Sequence, residues 1–226
     1  MSETTTPRGR TAGDWAGFAA FLALACWLFA TSASLGLLML PTVLHELGIS
    51  LTYLVRGRPR AVAPGWRPRV VALACSFLML AFTSGASLID GNWVAASASV
   101  ALQDTGFMLW LVGALLGLLP LYHLRGSFSL IPQARALVTG GAYRWARHPI
   151  YALYLLQYTG IWLGHLTPQF TAVMVVYLVL LRIRIGYEEA VLESAFPEYR
   201  EYRARVGAFG PRLSLLFRRR PATLAA

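Results

Sequence analysis

The chain has 226 residues, of which 57% are hydrophobic and only 13% are charged, and its formal net charge is +10. Soluble domains usually carry about 25% charged residues, so this composition argues against a water-soluble globular protein and indicates a bilayer as the solvent. All twenty basic residues are arginine. They fall between and after long apolar runs, as in loops that face anionic lipid, and this placement argues against nucleic-acid binding.

Long, continuous apolar runs predict an all-α integral membrane protein, because helices satisfy their own backbone groups in lipid. The first run extends from about Trp15 to Leu40, stops at Pro41 and continues less purely to Val55. We interpret it as one long helix with a short re-entrant or interfacial tail. The alternative is a tight two-helix hairpin that turns near Ser32 and Ser34.

Hydropathy divides the rest of the chain into four more predicted spans, which brings the total to five. In chain order, the elements are an Arg- and Pro-rich loop at 56–69, a span from Val70 to Ile89, a loop from Asp90 to Thr105, a span from Gly106 to Leu124, a polar segment at 125–147, spans from Pro149 to Gly164 and from Thr167 to Leu181, and a charged tail from Arg182.

Arginine asymmetry sets the predicted orientation, because basic loops stay in the cytoplasm. The segments at 56–69, at 125–147 and after residue 182 are basic, whereas those at 90–105 and 164–168 contain no arginine. Five spans then place every basic segment in the cytoplasm and the N-terminus outside, while a sixth span would place the N-terminus inside. We predict a multi-pass protein of a bacterial plasma membrane whose active site faces the cytoplasm.

The chain shows no internal repeat, and we expect one structural domain with three functional parts. Residues 1–124 are N-terminal helices and loops, 125–212 a catalytic region with the last two spans, and 213–226 a basic tail. Cys26 and Cys75 lie inside apolar runs, where we expect buried, unpaired side chains rather than a disulfide. No spacing resembles a zinc site, so we predict no metal.

Two polar clusters flank the last predicted helical hairpin. One includes His148 and Tyr151; the other, at 182–192, includes Arg184 and Glu188, which share a helix face because they lie four residues apart. If the short joint between the two helices reverses the chain, the helices are antiparallel and the first pair of side chains lies close to the second. Each feature alone fits basic anchors and an aromatic belt, but ionisable groups gathered with aromatics at a membrane boundary predict a functional site.

Such a site would suit a cationic ligand that also bears a carboxylate. Aromatic faces attract a sulfonium or an ammonium group. A glutamate pairs with an α-amino group, and backbone N–H groups near a helix start can receive a carboxylate. These residue types are compatible with several ligands and do not name one.

The two clusters together resemble the isoprenylcysteine carboxyl methyltransferase family and, more distantly, the phospholipid N-methyltransferases. Arg-His-Pro alone is a weak signal, but both halves in order and at this separation are fairly specific. The resemblance covers roughly residues 127–211. The matching positions are Leu137, Val138, Gly141, Tyr143, Arg147, His148, Pro149 and Tyr151, followed by Arg184, Glu188, Glu189, Leu192, Phe196, Tyr199, Tyr202, Arg205 and Val206.

The resemblance implies an S-adenosylmethionine-dependent methyltransferase that acts on a lipophilic or lipidated acceptor among membrane lipids; the oligomeric state stays open. Arg184 is implied on the substrate side. Two departures bear on helix packing and on adenosine contacts: Leu153 stands where the family often has glycine, and Arg135-Ala136 replaces a frequent His-Thr pair. The implied cofactor-binding residues are Gln133, Arg135, Ala136, Leu137, Val138, Tyr143, His148, Pro149, Ile150, Tyr151 and Glu188, and the candidate catalytic residues are Arg184, Glu188 and Glu189.

The sequence leaves the acceptor open between two chemistries. A carboxylate, the isoprenylcysteine-type acceptor that we favour, is already ionised near pH 7, and Arg184 would hold one of its oxygens. An amine, as in a phospholipid head group, must first lose a proton, and Glu189 or His148 becomes the candidate base. Beyond methyl transfer, a sterol-type reductase has a similar Arg-His-Pro-x-Tyr element, and a scaffold inactivated at Leu153 is the non-enzymatic alternative.

Overall fold

The structure is a computed structural model that describes residues 11–31, 40–88 and 99–212, and the predicted basic tail at 213–226 lies outside them. Within the described ranges the fold is almost entirely helical, as predicted. The helices are α1 Ala12–Thr31, α2 Leu40–Val55, α3 Arg67–Leu88, α4 Val100–Leu124, α5 Pro149–His165, α6 Pro168–Ala195 and α7 Tyr199–Arg205; two short strands, β1 Ala61–Val62 and β2 Gln133–Ala134, and a 3-10 turn, Gly141–Arg144, complete the fold.

Several helices present apolar surface suited to lipid. In the described ranges, α1, α4 and α6 are long and apolar enough to cross a membrane, and α2 is apolar but shorter. Large side chains on these helices are exposed, including Leu119 and Val179. Cys75 is buried, but Cys26 is exposed and so departs from the prediction; both are free thiols. The protein is thus a membrane protein, while the count of five spans stays a prediction.

The first apolar run forms two antiparallel helices, so our preferred interpretation of one long helix is wrong. Ser50 Oγ in α2 donates a hydrogen bond of 2.8 Å to the Phe18 carbonyl in α1. Arg56, just after α2, forms an ion pair of 2.6 Å with Asp14 at the start of α1. The end of α2 therefore lies beside the start of α1, as in the hairpin alternative. The predicted turn at 32–34 lies outside the described residues.

Two helices extend beyond their predicted ends. α4 begins at Val100 rather than Gly106, inside the predicted loop. α6 continues to Ala195, although we expected a charged tail from Arg182. Ile185 and Val191 are buried in this extension, so one face of it packs against the protein. Arg184 pairs with Glu188 within the extension, while Glu189 and Glu193 pair with arginines elsewhere in the fold. Packing therefore keeps the segment helical despite its charge.

A short β-clip joins the two basic segments that flank α3 and α4. β1 pairs with β2 in antiparallel orientation, with Ala61 opposite Ala134 and Val62 opposite Gln133. The loop between α2 and α3 and the segment between α4 and α5 therefore lie at one end of the bundle, which we call the polar end. Arginine distribution predicted that these segments share a side; that this side is the cytoplasm stays a prediction.

Helices α4 and α5 pack backbone to backbone at glycines. A Cβ atom added to Gly160 would lie 2.3 Å from the carbonyl oxygen of Gly106, and one added to Gly106 would lie equally close to the carbonyl oxygen of Gly160. Further along, a Cβ at Gly113 would lie 2.9 Å from the Leu153 carbonyl oxygen. Leu153 on α5 stands where the family often has glycine. At this point of the contact the glycine is instead Gly113 on α4.

Replacing Gly160 with alanine should destabilise the protein, because the added methyl group must push α4 away from α5. Overpacking of this kind costs about 1–3 kcal/mol. Gly164 is the matched control, since a Cβ there would meet no atom within 4 Å and alanine favours a helix by about 1 kcal/mol over glycine. Thermal unfolding in detergent should show a lower midpoint for Gly160→Ala only; equal midpoints for the two variants would contradict the close contact.

Candidate functional site

A cavity of about 1070 Å³ runs from the polar end into the helical bundle. Its walls come from all seven described helices, α1 to α7, and from the segment that connects α4 to α5. Trp27 and His165 line the end of the cavity that is remote from the β-clip, and Tyr202 lines the cavity at the polar end. The volume suits a ligand-binding site.

Most residues expected at the site share this cavity. Pro149 and Glu189 do not line it. Pro149 occupies the first turn of α5, where its missing N–H leaves no hydrogen bond unmade. Leu153 is also absent from the described lining, so its side chain does not narrow the cavity. The expected residues that do line it are Gln133, Arg135, Ala136, Leu137, Val138, Tyr143, His148, Ile150, Tyr151, Arg184 and Glu188.

Glu188 is the carboxylate of α6 that faces the cavity. Its Oε1 accepts a hydrogen bond from the Tyr151 hydroxyl and another, of 2.9 Å, from Arg184 Nε. His148 Nδ1 lies 3.9 Å from Oε2. The Glu188 side chain is 18% exposed, against 7% for that of Arg184, so it is fixed through one oxygen yet accessible to a ligand.

Arg184 connects α6 to two other parts of the fold. Its Nη1 donates to Ser76 Oγ over 2.6 Å and to the Ala72 carbonyl over 3.3 Å, both in α3, and its Nη2 donates to the Leu130 carbonyl over 2.9 Å. Its guanidinium carbon lies 5.2 Å from the centre of the Tyr151 ring. A guanidinium has five N–H donors, so one hydrogen on Nη2 is left for a further acceptor.

Glu189 points away from the cavity, because neighbouring residues of a helix lie about 100° apart around its axis. Its Oε1 accepts from Arg147 Nε over 2.8 Å and lies 3.1 Å from His148 Nε2, and its Oε2 lies 3.4 Å from Arg203 Nε. Arg147 also donates to the Val206 carbonyl. Glu189 thus holds the C-terminal segment against the start of α5, and His148 lies between the two glutamates.

Arg135 is a buried cation for which the described residues provide no ion pair. Its Nη2 donates to Gln133 Oε1 over 2.7 Å and its Nη1 donates to the Gly57 carbonyl. Its Nε is buried without a hydrogen-bond partner. Burial, with repulsion from Arg56, lowers the pKa of Arg135 to about 10. A ligand carboxylate at this place would supply the partner that the protein does not.

The aromatic wall of the polar end depends on a glycine and a tyrosine. Gly141 has a φ of +59°, and a Cβ there would lie 2.1 Å from the His123 ring, so the 3-10 turn requires glycine. The buried Tyr202 hydroxyl donates to the Tyr143 carbonyl over 2.6 Å, which fixes Tyr143 in the wall. Burial raises the pKa of Tyr202 to about 12 and raises the pKa of Tyr143, so both hydroxyls stay protonated.

The cavity also contains polar residues that our sequence analysis did not assign to the site. Thr42, His45 and Glu46 come from α2, and Tyr154 and Gln157 come from α5. The sequence did carry a signal for two of them, since His45 and Glu46 interrupt an apolar run and ionisable residues within membrane helices commonly mark functional sites.

A membrane helical bundle with a charged, aromatic cavity at one end is compatible with a membrane enzyme. A family model described as phospholipid methyltransferase matches residues 80–199, which is more than half of the chain and includes α4, α5 and the site residues of α6. The chain therefore belongs to this family of membrane methyltransferases, whose superfamily also includes the isoprenylcysteine carboxyl methyltransferases.

Two curated bacterial proteins are similar to this chain. The cobalt-zinc-cadmium resistance protein CzcN of Cupriavidus metallidurans is 36% identical over 143 residues, which cover 62% of this chain and 61% of that protein. The nickel-cobalt-cadmium resistance protein NccN of Alcaligenes xylosoxydans xylosoxydans is 31% identical over 143 residues, 62% of each. The match thus spans about three fifths of either relative. Within 11–31, 40–88 and 99–212, no group of three His, Cys, Asp or Glu residues could hold a metal ion.

The Arg147–Glu189 pair should contribute to stability, because each side chain is less than a tenth exposed. Removing one partner of an isolated buried pair costs about 3–5 kcal/mol, and we expect a smaller loss here because Glu189 also contacts Arg203. Glu189→Gln and Arg147→Gln should each lower the unfolding midpoint in detergent, and the double variant should lose less than the sum of the two. Glu201→Gln, on the exposed face of α7, is the control; additive losses would contradict the coupling.

Proposed function

We propose that the protein transfers a methyl group from S-adenosylmethionine to a lipophilic acceptor. The observation that carries this proposal is the Glu188 carboxylate, which Tyr151 and Arg184 hold in the wall of a cavity that continues into the apolar bundle. Family membership supports methyl transfer over the reductase and scaffold alternatives. When bound, S-adenosylmethionine supplies an electrophilic methyl group on a cationic sulfur.

The charges of the cavity fit the three ionic groups of this methyl donor. Glu188 would pair with its ammonium group, and the open Nε of Arg135 would receive its carboxylate. The faces of Tyr143 and Tyr151 would lie near the sulfonium, which aromatic rings attract. His148, between the two glutamates, would keep Glu188 oriented through Nδ1.

The acceptor would enter from the bilayer, because apolar side chains of six helices, α1 to α6, line the cavity. Holding acceptor and methyl donor in one cavity supplies the alignment that an in-line displacement needs. In this proposal the polar end faces the cytoplasm of a bacterial cell, where the water-soluble methyl donor is available, and the helical bundle lies in the plasma membrane.

Two acceptor classes each have an observation in their favour. An isoprenylcysteine-type carboxylate would accept the remaining Nη2 hydrogen of Arg184, in a single contact that leaves its second oxygen free to attack. An amine agrees with the phospholipid methyltransferase match and needs a base. Glu189 is a poor candidate for that base, because Arg147 and His148 engage it outside the cavity.

Glu188→Gln should weaken S-adenosylmethionine binding by about 10- to 100-fold, because a neutral amide loses a charged hydrogen bond worth about 1.5–3 kcal/mol. Isothermal titration calorimetry of the full-length protein in detergent measures this directly. Glu201→Gln should bind like the unchanged protein. A Glu188→Gln variant that is folded and binds the methyl donor normally would contradict the proposed site.

Arg135→Gln should weaken S-adenosylmethionine binding about tenfold or more, for the same reason, but should not alter the affinity for decarboxylated S-adenosylmethionine. The comparison isolates the contact between Arg135 and the ligand carboxylate, because both ligands share every other group. Equal losses for the two ligands would instead indicate that Arg135 acts only through the fold.

The reaction itself should be visible by mass spectrometry of lipid and protein extracts after incubation of the full-length protein with a deuterated-methyl donor. We expect the mass label in a lipid-soluble product that forms with the unchanged protein and not with Glu188→Gln. Base-labile label indicates an ester and base-stable label an amine. A labelled product that forms equally with both proteins would count against the assignment.

A further inference from the structure

A second polar cluster lies in the same cavity, within the helical bundle. It consists of Thr42, His45 and Glu46 on α2 and Tyr154 on α5. His45 is only 4% exposed. Its Nε2 lies 3.4 Å from the Tyr154 hydroxyl, and its Nδ1 lies 3.7 Å from Glu46 Oε1. The imidazole therefore links the tyrosine to the carboxylate.

This cluster contains two polar atoms without a partner in the described ranges 11–31, 40–88 and 99–212. Glu46 Oε2 and Thr42 Oγ1 are both buried, and no hydrogen bond from these ranges reaches either atom. Among the described residues, the one ion-pair contact of Glu46 is with His45. A buried carboxylate is unfavourable unless it is paired, so an open carboxylate oxygen on a cavity wall is suited to a ligand that brings an N–H group.

The cluster lies close in depth to Glu188. Tyr151 and Tyr154 are three residues apart on α5, which corresponds to a rise of about 4.5 Å. The hydroxyl of Tyr151 contacts Glu188 and that of Tyr154 contacts His45. A small head group beside Glu188 therefore has the His45–Glu46 pair about one helical turn further along α5 in the same cavity.

We propose that Glu46 binds the amino group of a lipophilic amine acceptor and takes the proton that this group must lose before methylation. The inference rests on the proposed methyltransferase function and specifies its acceptor. One N–H bond of the ammonium breaks and an O–H bond forms at Glu46 Oε2. The nitrogen keeps the electron pair of the broken bond as its lone pair, and two opposite charges are neutralised, which a low-dielectric cavity favours.

An amine requires such a base, because an alkylammonium keeps its proton until about pH 10 in water. A carboxylate acceptor, by contrast, would place a second negative charge near Glu46. The apolar remainder of this region, including Phe21, Leu24, Phe107 and Trp110, is suited to the hydrocarbon part of the acceptor. The cluster therefore favours an amine over a carboxylate.

Within the described part of the chain, the titratable groups around Glu46 form a small set. His45 comes from its own helix, and Tyr154 and Tyr158 come from α5. In the same cavity, α3 contributes Cys75 and α6 contributes Tyr177, Arg184 and Glu188, whereas the described lining residues of α1 and α4 include no titratable side chain. A change in the pH dependence of the reaction when Glu46 is replaced can therefore be assigned to a small, known set of groups.

The binding part of the proposal is tested without a methyl donor. Full-length protein in detergent is unfolded thermally with tetradecylamine or with tetradecanol, which has the same chain and no amine. We expect the amine to raise the midpoint of the unchanged protein more than the alcohol does, and this difference to disappear in Glu46→Gln. The control Glu201→Gln should behave like the unchanged protein. A difference that persists in Glu46→Gln would overturn the assignment of Glu46.

The proton-transfer part is tested by methyl transfer from a deuterated donor to tetradecylamine and to phosphatidylethanolamine in vesicles, at pH 7 and at about pH 9.5. The rate of methyl transfer by Glu46→Gln at pH 7 should be at least about tenfold lower than that of the unchanged protein. The loss should shrink at the higher pH, where more of the amine is already neutral. Transfer to only one of the two acceptors distinguishes a single-chain amine from a phospholipid head group.

Methyl-donor binding in the same preparations separates the two proposals. If the unchanged protein does not bind S-adenosylmethionine, the proposed function fails and this inference fails with it. If it binds the methyl donor but methylates neither amine, or if Glu46→Gln methylates as well as the unchanged protein at pH 7, the inference about Glu46 fails alone. A Glu46→Gln variant that binds the methyl donor normally is folded, so its loss of transfer supports the proposal.

Discussion

Two adjacent glutamates on one helix cannot face the same way, and this constraint organises the polar end of the molecule. Glu188 turns toward the cavity, where Tyr151 and Arg184 hold one oxygen. Glu189 turns toward the C-terminal segment, where Arg147 holds it. One carboxylate is thus left accessible to a ligand, while its neighbour fastens α6 to the start of α5. His148 lies between the two glutamates and contacts both of them.

The cavity depends on elements from the whole length of the chain. Arg184 is oriented by α3 and by the segment after α4, and the β-clip brings the loop before α3 against that segment. The helices α1 and α2, to which the sequence analysis assigned no site residue, supply part of the wall and the His45–Glu46 pair. The N-terminal and catalytic parts predicted from sequence are therefore joined at one cavity.

Much of the site was predictable because it lies at the two ends of one helical hairpin. Helix periodicity places Arg184 and Glu188 on one face, and an antiparallel hairpin brings them to Tyr151, as the structure shows. The different directions of the two glutamates also follow from helix geometry, but their partners do not. Arg147 could have been an ordinary membrane anchor, and only tertiary packing decides that it pairs with Glu189.

Other features depend on long-range packing that no local pattern encodes. Hydropathy alone did not separate α1 from α2, because both are apolar and the separation shows only in their antiparallel contacts. The charge of the segment after Arg182 suggested a tail, yet burial of Ile185 and Val191 on one face keeps it helical. Likewise, the partners of Arg184 in α3 lie more than a hundred residues away in sequence.

The glycine contact between α4 and α5 also limits how the cavity can change its shape. Main-chain atoms have no rotamers, so two helices that touch through Gly106 and Gly160 have no side chain there that can move aside. This part of the wall is consequently stiff. Adjustment to acceptors of different width falls to other parts of the wall, such as the contact between α1 and α2, which meet through side chains such as Phe21 and Tyr53 that can repack.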